Sequence, residues 1–147
     1  MYFYLITLIS AISDLTSKIF MKSFLLNEEK ISLIGDILSL KLVKNTGIAF
    51  SLPIEGLALK IITVLIIALI VFYYFKYEKK TKVNQIAFGL IVGGALGNGI
   101  ERIFNSVVID FINLKYFAIF NFADIFINIG VIILIINYLS LCKKKEK

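Results

Sequence analysis

The run 121-NFADIFINIGVIILIINYLSLC-142 decides the fold. Asn121 and Asp124 open it, and the residues that follow are almost wholly apolar. At a rise of about 1.5 Å per residue, a helix of this length crosses a hydrocarbon layer about 30 Å thick. A carboxylate at the head of such a helix is costly to hold near lipid. Asp124 therefore needs partners, and the rest of the chain has to supply them.

The whole chain suits the same solvent. Of its 147 residues 59% are hydrophobic, and there is one proline and no tryptophan. Mean hydropathy is +0.92. A soluble domain of this size does not need so much apolar surface, and long apolar runs between short charged segments indicate a multi-spanning membrane protein. Residues 1–147 read as a single integral membrane domain with spans at about 1–20, 57–77, 84–104 and 121–142. The first span is interrupted by Asp14 and Lys18 and lacks a basic leader, so it reads as a retained span and not as a cleaved signal peptide.

Composition also excludes chemistries. With no histidine, a Ser-His-Asp or Cys-His nucleophile is impossible. No histidine and a single cysteine, Cys142, also argue against a metal site or an intrachain disulfide. The net charge of +6 does not signal nucleic acid, because the lysines gather at the ends of apolar runs, as in 76-KYEKKTK-82 and 143-KKKEK-147. Those two segments are separated by two spans and so share a side. The excess of Lys and Arg in cytoplasmic loops places them inside. Both termini are then cytoplasmic, and the loops at about 21–56 and 105–120 face outward. The alternation in 37-ILSLKLVKN-45 predicts short strands, hence a small extracytoplasmic β subdomain on an otherwise all-α, four-helix membrane bundle. Gly89, Gly93 and Gly97 make a smooth stripe on the third span for close helix packing.

With this topology the unusual polar residues collect at one depth, near the outer leaflet. Asp14 and Lys18 lie four apart in the first span, and Asn98 and Arg102 four apart at the end of the third. Asn121, Asp124 and Asn128 begin the fourth, and Asp110 lies in the preceding loop, in 107-VVIDFINL-114. Singly, each has a structural reading: an ion pair for Asp14 with Lys18, a helix end for Asn98 and Arg102, a dipole partner for Asp124. Intramembrane ionisable residues are rare and usually functional, and their convergence favours a site. Two aspartates with no metal-ligand set suit paired-carboxylate acid–base chemistry, in which two like charges held close share one proton. Asp110 and Asp124 are the best-placed pair.

In order along the chain, 14-DLTSK-18, 45-NTGIAFS-51, 93-GGALGNGIERI-103, 108-VIDF-111 and 120-FNFAD-124 resemble the motifs of the lipoprotein signal peptidases (signal peptidase II), the membrane aspartyl proteases of bacterial lipoprotein maturation. The resemblance implies a four-helix bundle with a small outer sheet and a surface helix, in the bacterial cytoplasmic membrane. It implies Asp110 and Asp124 as the catalytic dyad, with Asp14, Lys18, Asn45, Asn98, Arg102 and Asn121 shaping the site and holding the substrate backbone. The substrate it implies is a prolipoprotein bearing a diacylglyceryl cysteine, cut just before that cysteine by a monomer in contact with membrane lipid. It implies no metal or organic cofactor. Three features depart from the family pattern. Glu101 stands where aspartate is usual, Ile125 replaces a frequent small hydroxyl residue after Asp124, and the loop between the two aspartates is short. A transporter or proton-conducting subunit is the rival reading, and would spread polar residues through the bilayer depth. A purely structural membrane subunit would not need two buried aspartates.

Overall fold

The computed structural model describes residues 1–26, 28–47 and 56–145, with side chains as far as 142. The chain begins with helix α1 (Tyr2–Phe24) and a hairpin of β1 (Ile31–Ile34) and β2 (Leu38–Asn45). Two helices follow, α2 (Gly56–Tyr77) and α3 (Lys82–Asn105), then a second hairpin of β3 (Val108–Leu114) and β4 (Ala118–Phe120). Helix α4 (Phe122–Lys145) completes the chain. α1, α2, α3 and the Phe122–Cys142 part of α4 are each long and apolar enough to cross a membrane. Leu57, Leu65 and Leu69 on α2, and Ile136 and Leu139 on α4, stand more than half exposed, as lipid-facing side chains do.

The four helices begin and end within a few residues of the expected spans, but the outer segments need one correction. Residues 105–120 are not a loop: they hold β3, a tight turn with Tyr116 at φ 66°, and β4. β3 pairs antiparallel with β2, Val43 opposite Asp110 and Asn45 opposite Val108, which joins the two hairpins into one sheet of order β1-β2-β3-β4. Asp110 is therefore a strand residue. The β-branched run of 107–114 carries the strand, although in so apolar a chain it is hard to tell from helix by pattern alone. The expected surface helix does not occur among the described residues between α1 and α2. Residues 48–55, with Glu55 and the end of the 45–51 motif, lie outside them, as do the side chains of 143–147.

α3 is the central helix. It starts at Thr81, whose hydroxyl accepts from the Asn84 N–H at 3.2 Å, and ends at Ser106 in a left-handed conformation (φ 60°). That end turns the chain straight into β3. Its glycines let neighbours approach: a Cβ on Gly89 would lie 2.9 Å from the Cβ of Ile6, and one on Gly94 2.5 Å from the Ala123 carbonyl oxygen. Gly93 and Gly97 face Ser10 and Asp14 of α1 in the same way. From α4, Gly130 returns the contact, a Cβ there falling 2.6 Å from the Ala87 carbonyl oxygen. At the bundle end away from the sheet, Phe3 stacks on Tyr74 with centroids 4.3 Å apart. There Asn84 donates to Glu78 (2.6 Å) and accepts from Asn137 of α4 (2.7 Å), tying the α2–α3 turn to the last helix.

Candidate active site

The site is assembled at the sheet end of the bundle, and its first part is the start of α4. Asn121, the residue before the helix, accepts from the Asp124 N–H at 3.1 Å, while the Asp124 carboxylate accepts from the Asn121 N–H at 3.1 Å. This is the reciprocal arrangement of a capping box. Asp14 Oδ1 of α1 accepts the Ala123 N–H at 2.8 Å. Donors that a helix start would otherwise leave bare thus meet side-chain oxygens, which is why an apolar helix here opens with acid and amide residues.

Around this cap the polar side chains interlock. Asn98 of α3 donates to Asp124 Oδ1 at 2.9 Å and its carbonyl oxygen accepts from Asn121 Nδ2 at 3.0 Å. Asn121 Nδ2 also reaches Asp110 Oδ1 at 2.6 Å, and Asn45 at the end of β2 donates to Asp110 Oδ2 at 3.0 Å. One asparagine therefore touches both aspartates, and each Asp110 oxygen carries an amide donor. Asn45 is itself fixed by accepting from the Gly47 N–H at 3.1 Å. Asp110 is 4% exposed. Burial, and secondarily the Asp124 charge, hold its carboxyl above the ordinary value of 3.8, against the lowering effect of the Asn45 and Asn121 hydrogen bonds. Asp124 is half-buried.

Beneath the carboxylates lies a charge network. Lys18, fully buried, places its ammonium 2.7 Å from Asp14, 2.8 Å from the Asn98 carbonyl oxygen and 3.2 Å from Glu101. One hydrogen bond and two carboxylate charges thus surround the ammonium, and a buried cation requires such compensation. Glu101 also pairs with Lys22 at 3.2 Å and accepts the backbone N–H of Ile109 at 3.0 Å. Arg102 is half-buried within Coulombic reach of Asp124, Asp110 and Glu101, and its Nε has no hydrogen-bond partner among the described residues.

The structure thus brings together the eight residues that the family resemblance implies, Asp14, Lys18, Asn45, Asn98, Arg102, Asp110, Asn121 and Asp124. Asn128 does not join them; it is exposed and donates to the Asp124 backbone carbonyl at 2.8 Å. Glu101 and Lys22 were missed as partners. Glu101 lies three and four residues beyond Asn98 and Gly97, so helical spacing already put it on the inward face. The hydroxyl lacking at Ile125 leaves the Asp124 carboxylate with two donors, Asn98 and the Asn121 N–H. The short connection between the aspartates is a β-hairpin running directly into α4, and it leaves Asp110 buried. The polar groups of α2 form no relay: Lys60 donates to the Ile103 carbonyl and Thr63 to that of Leu59, both at 2.8 Å.

Fold and site together define a polytopic membrane protein with a buried carboxylate cluster at one end of its bundle. The family model described as signal peptidase (SPase) II matches residues 6–140. A lipoprotein signal peptidase of Fusobacterium nucleatum is 37% identical, the match covering 99% of this chain and 91% of that protein. One from Caldicellulosiruptor bescii is also 37% identical, over 91% and 88% of the two chains. A solved bacterial membrane enzyme superposes with a TM-score of 0.84 at 30% identity, over 96% of this chain and 89% of its own. The chain belongs to the signal peptidase II family. It is a bacterial membrane protease, a hydrolase of the aspartic type.

Proposed function

We infer that this chain removes signal peptides from diacylglyceryl-modified prolipoproteins, cutting just before the lipidated cysteine, with Asp110 and Asp124 as its acid–base pair. The observation that carries the reading is Asn121, whose amide nitrogen reaches Asp110 at 2.6 Å while its backbone N–H reaches Asp124 at 3.1 Å. Two carboxylates held around one residue in a buried setting are suited to sharing a proton. Of the two, Asp110 is assigned the shared proton, because burial raises its carboxyl above the ordinary value. Asp124, half-buried, takes a proton from the attacking water. The water oxygen adds to the scissile carbonyl carbon and the carbonyl oxygen receives the Asp110 proton. The tetrahedral intermediate then collapses as Asp124 gives the proton it took from water to the departing amine nitrogen and Asp110 takes back a hydroxyl proton, which restores the starting pair.

Arg102, Asn98 and Asn45 shape the pocket and hold the substrate backbone, while Asp14 and Lys18 set the height of α4 against α1. All these groups come from one chain, which supports a monomer as the working unit and one integral membrane domain over residues 1–147. The cationic turn at 76–82, at the bundle end opposite the sheet, supports cytoplasmic termini and a site near the outer leaflet. A site at that depth meets the bond beside the lipid anchor, where extracting acyl chains would cost about 0.8 kcal/mol per CH₂. The test is incubation of the purified protein with a diacylglyceryl-modified lipobox peptide and its unlipidated counterpart. Release of the signal fragment from the lipidated peptide, with much slower turnover of the other, is expected. Equal turnover of both in detergent would refute the lipid-anchored substrate.

A further inference from the structure

We propose that Glu101 is a positioning residue for the reaction: by holding the strand of Asp110 through its backbone while facing two lysines, it sets both the place and the electrostatic surroundings of that carboxyl. Glu101 lies in the last turn of α3, 4% exposed. One carboxylate oxygen accepts the Ile109 N–H at 3.0 Å, one residue before Asp110, and stands 3.2 Å from Lys18. The other oxygen pairs with Lys22 at 3.2 Å. The same side chain therefore joins the entry of β3, the buried cation that also grips Asn98, and a lysine that is 44% exposed at the rim. β3 has no other side-chain anchor at Ile109 N among the described residues. If this anchor is lost, Asp110 is free to drift relative to Asp124.

The charge has a second effect. Asp110 is faced by Asn45 from β2, Asn121 and Asp124 from the start of α4, Lys18 from α1 and Arg102 from α3. Glu101 offsets the Lys18 and Arg102 cations in that set. Without it they act on the carboxyl pair unopposed, favouring ionisation. The acid limb of the cleavage profile then moves to lower pH. Removing Lys22 does the reverse, and by less, since that lysine is partly solvent-screened.

The inference rests on Asp110 and Asp124 being the reacting pair, and the experiment separates the two. Turnover of a diacylglyceryl lipobox peptide is followed against pH for the parent, Glu101→Gln, Glu101→Asp, Lys22→Gln and Asp110→Asn, with melting temperatures alongside. Glu101→Gln keeps one oxygen for the Ile109 N–H but turns an NH₂ donor on Lys18 or Lys22. The strained anchor is expected to lower kcat by up to about 100-fold, the scale of a small misplacement of reacting groups, with KM little changed. Its acid limb moves down by about half a pH unit. Glu101→Asp, which keeps the charge, retains the parent profile, and Lys22→Gln moves the limb slightly upward. A folded Glu101→Gln with the parent kcat and profile would overturn the proposal. If Glu101→Gln does not fold, Lys22→Gln decides, and an unmoved limb there overturns the proposal equally. Substantial turnover by Asp110→Asn would instead defeat the underlying assignment, whatever Glu101 does.

Discussion

Asp110 accepts amide hydrogens on both oxygens, from Asn45 and Asn121, yet burial still raises its carboxyl above the ordinary 3.8. Between 3.8 and the raised value, the folded protein holds a proton that the unfolded chain has released. Stability contributed by this group is therefore present at the acid end and is lost as pH rises through that window. An asparagine at 110 does not titrate, but its NH₂ must face one of the two amide donors, which adds a constant penalty. The melting temperature of Asp110→Asn relative to the parent should accordingly rise as pH goes from 3.8 towards neutrality. A difference that falls with pH would show that the carboxyl is stabilised as the anion. Lys18 gives a larger effect of another kind. Lys18→Met leaves Asp14 and Glu101 buried without their shared cation, and breaking such a set costs about 3–5 kcal/mol. Thermal or denaturant unfolding in detergent should show that loss, against about 0–1 kcal/mol for Lys22→Met at the partly exposed rim. Equal losses for the two lysines would contradict the network.

Among the elements, α3 positions most of the site, and its glycines are the means. A Cβ at Gly97 would strike the Asp14 carboxylate, and one at Gly130 the Ala87 carbonyl oxygen, deep in the bundle. Both Gly→Ala changes overpack a close contact, at a cost of about 1–3 kcal/mol. Gly97→Ala should also reduce peptide turnover, because it displaces the residue that caps α4, whereas Gly130→Ala should keep its turnover at a permissive temperature. Loss of turnover in both, in proportion to their loss of stability, would remove the distinction. The glycine stripe and the four spans were legible because helical periodicity and apolar length are local signals. β3 was not, since Val107, Val108 and Ile109 look alike on a strand and on a membrane helix. Glu101 was half legible: its spacing from Asn98 placed it inward, but no local pattern names a backbone N–H on β3 as its partner.

For the whole molecule, the sheet and the carboxylate cluster occupy one end and the 76–82 lysines the other, which makes the orientation testable. In a background with Cys142→Ser, a cysteine replacing Tyr116, which is 95% exposed in the β3–β4 turn, should react with an impermeant thiol reagent in intact cells. A cysteine at Lys79 should react only after permeabilisation. The opposite pattern would place the site inside. The convergence of Asp14, Asn98, Asp110 and Asp124 was legible in the sequence, because topology alone brings span ends to one depth. Which amide bridges which carboxylate was not, as that depends on how the two hairpins join. The central claim is that Asp110 and Asp124 exchange the protons of peptide hydrolysis. It is tested most directly by the turnover of a diacylglyceryl lipobox peptide by Asp110→Asn, Asp124→Asn and the double variant, each shown to be folded by its melting transition. Each single change should lower kcat by about 10²–10⁴-fold, and the double variant should be little worse than either single one, because the pair acts as a unit. Substantial cleavage by either folded single variant would contradict the claim.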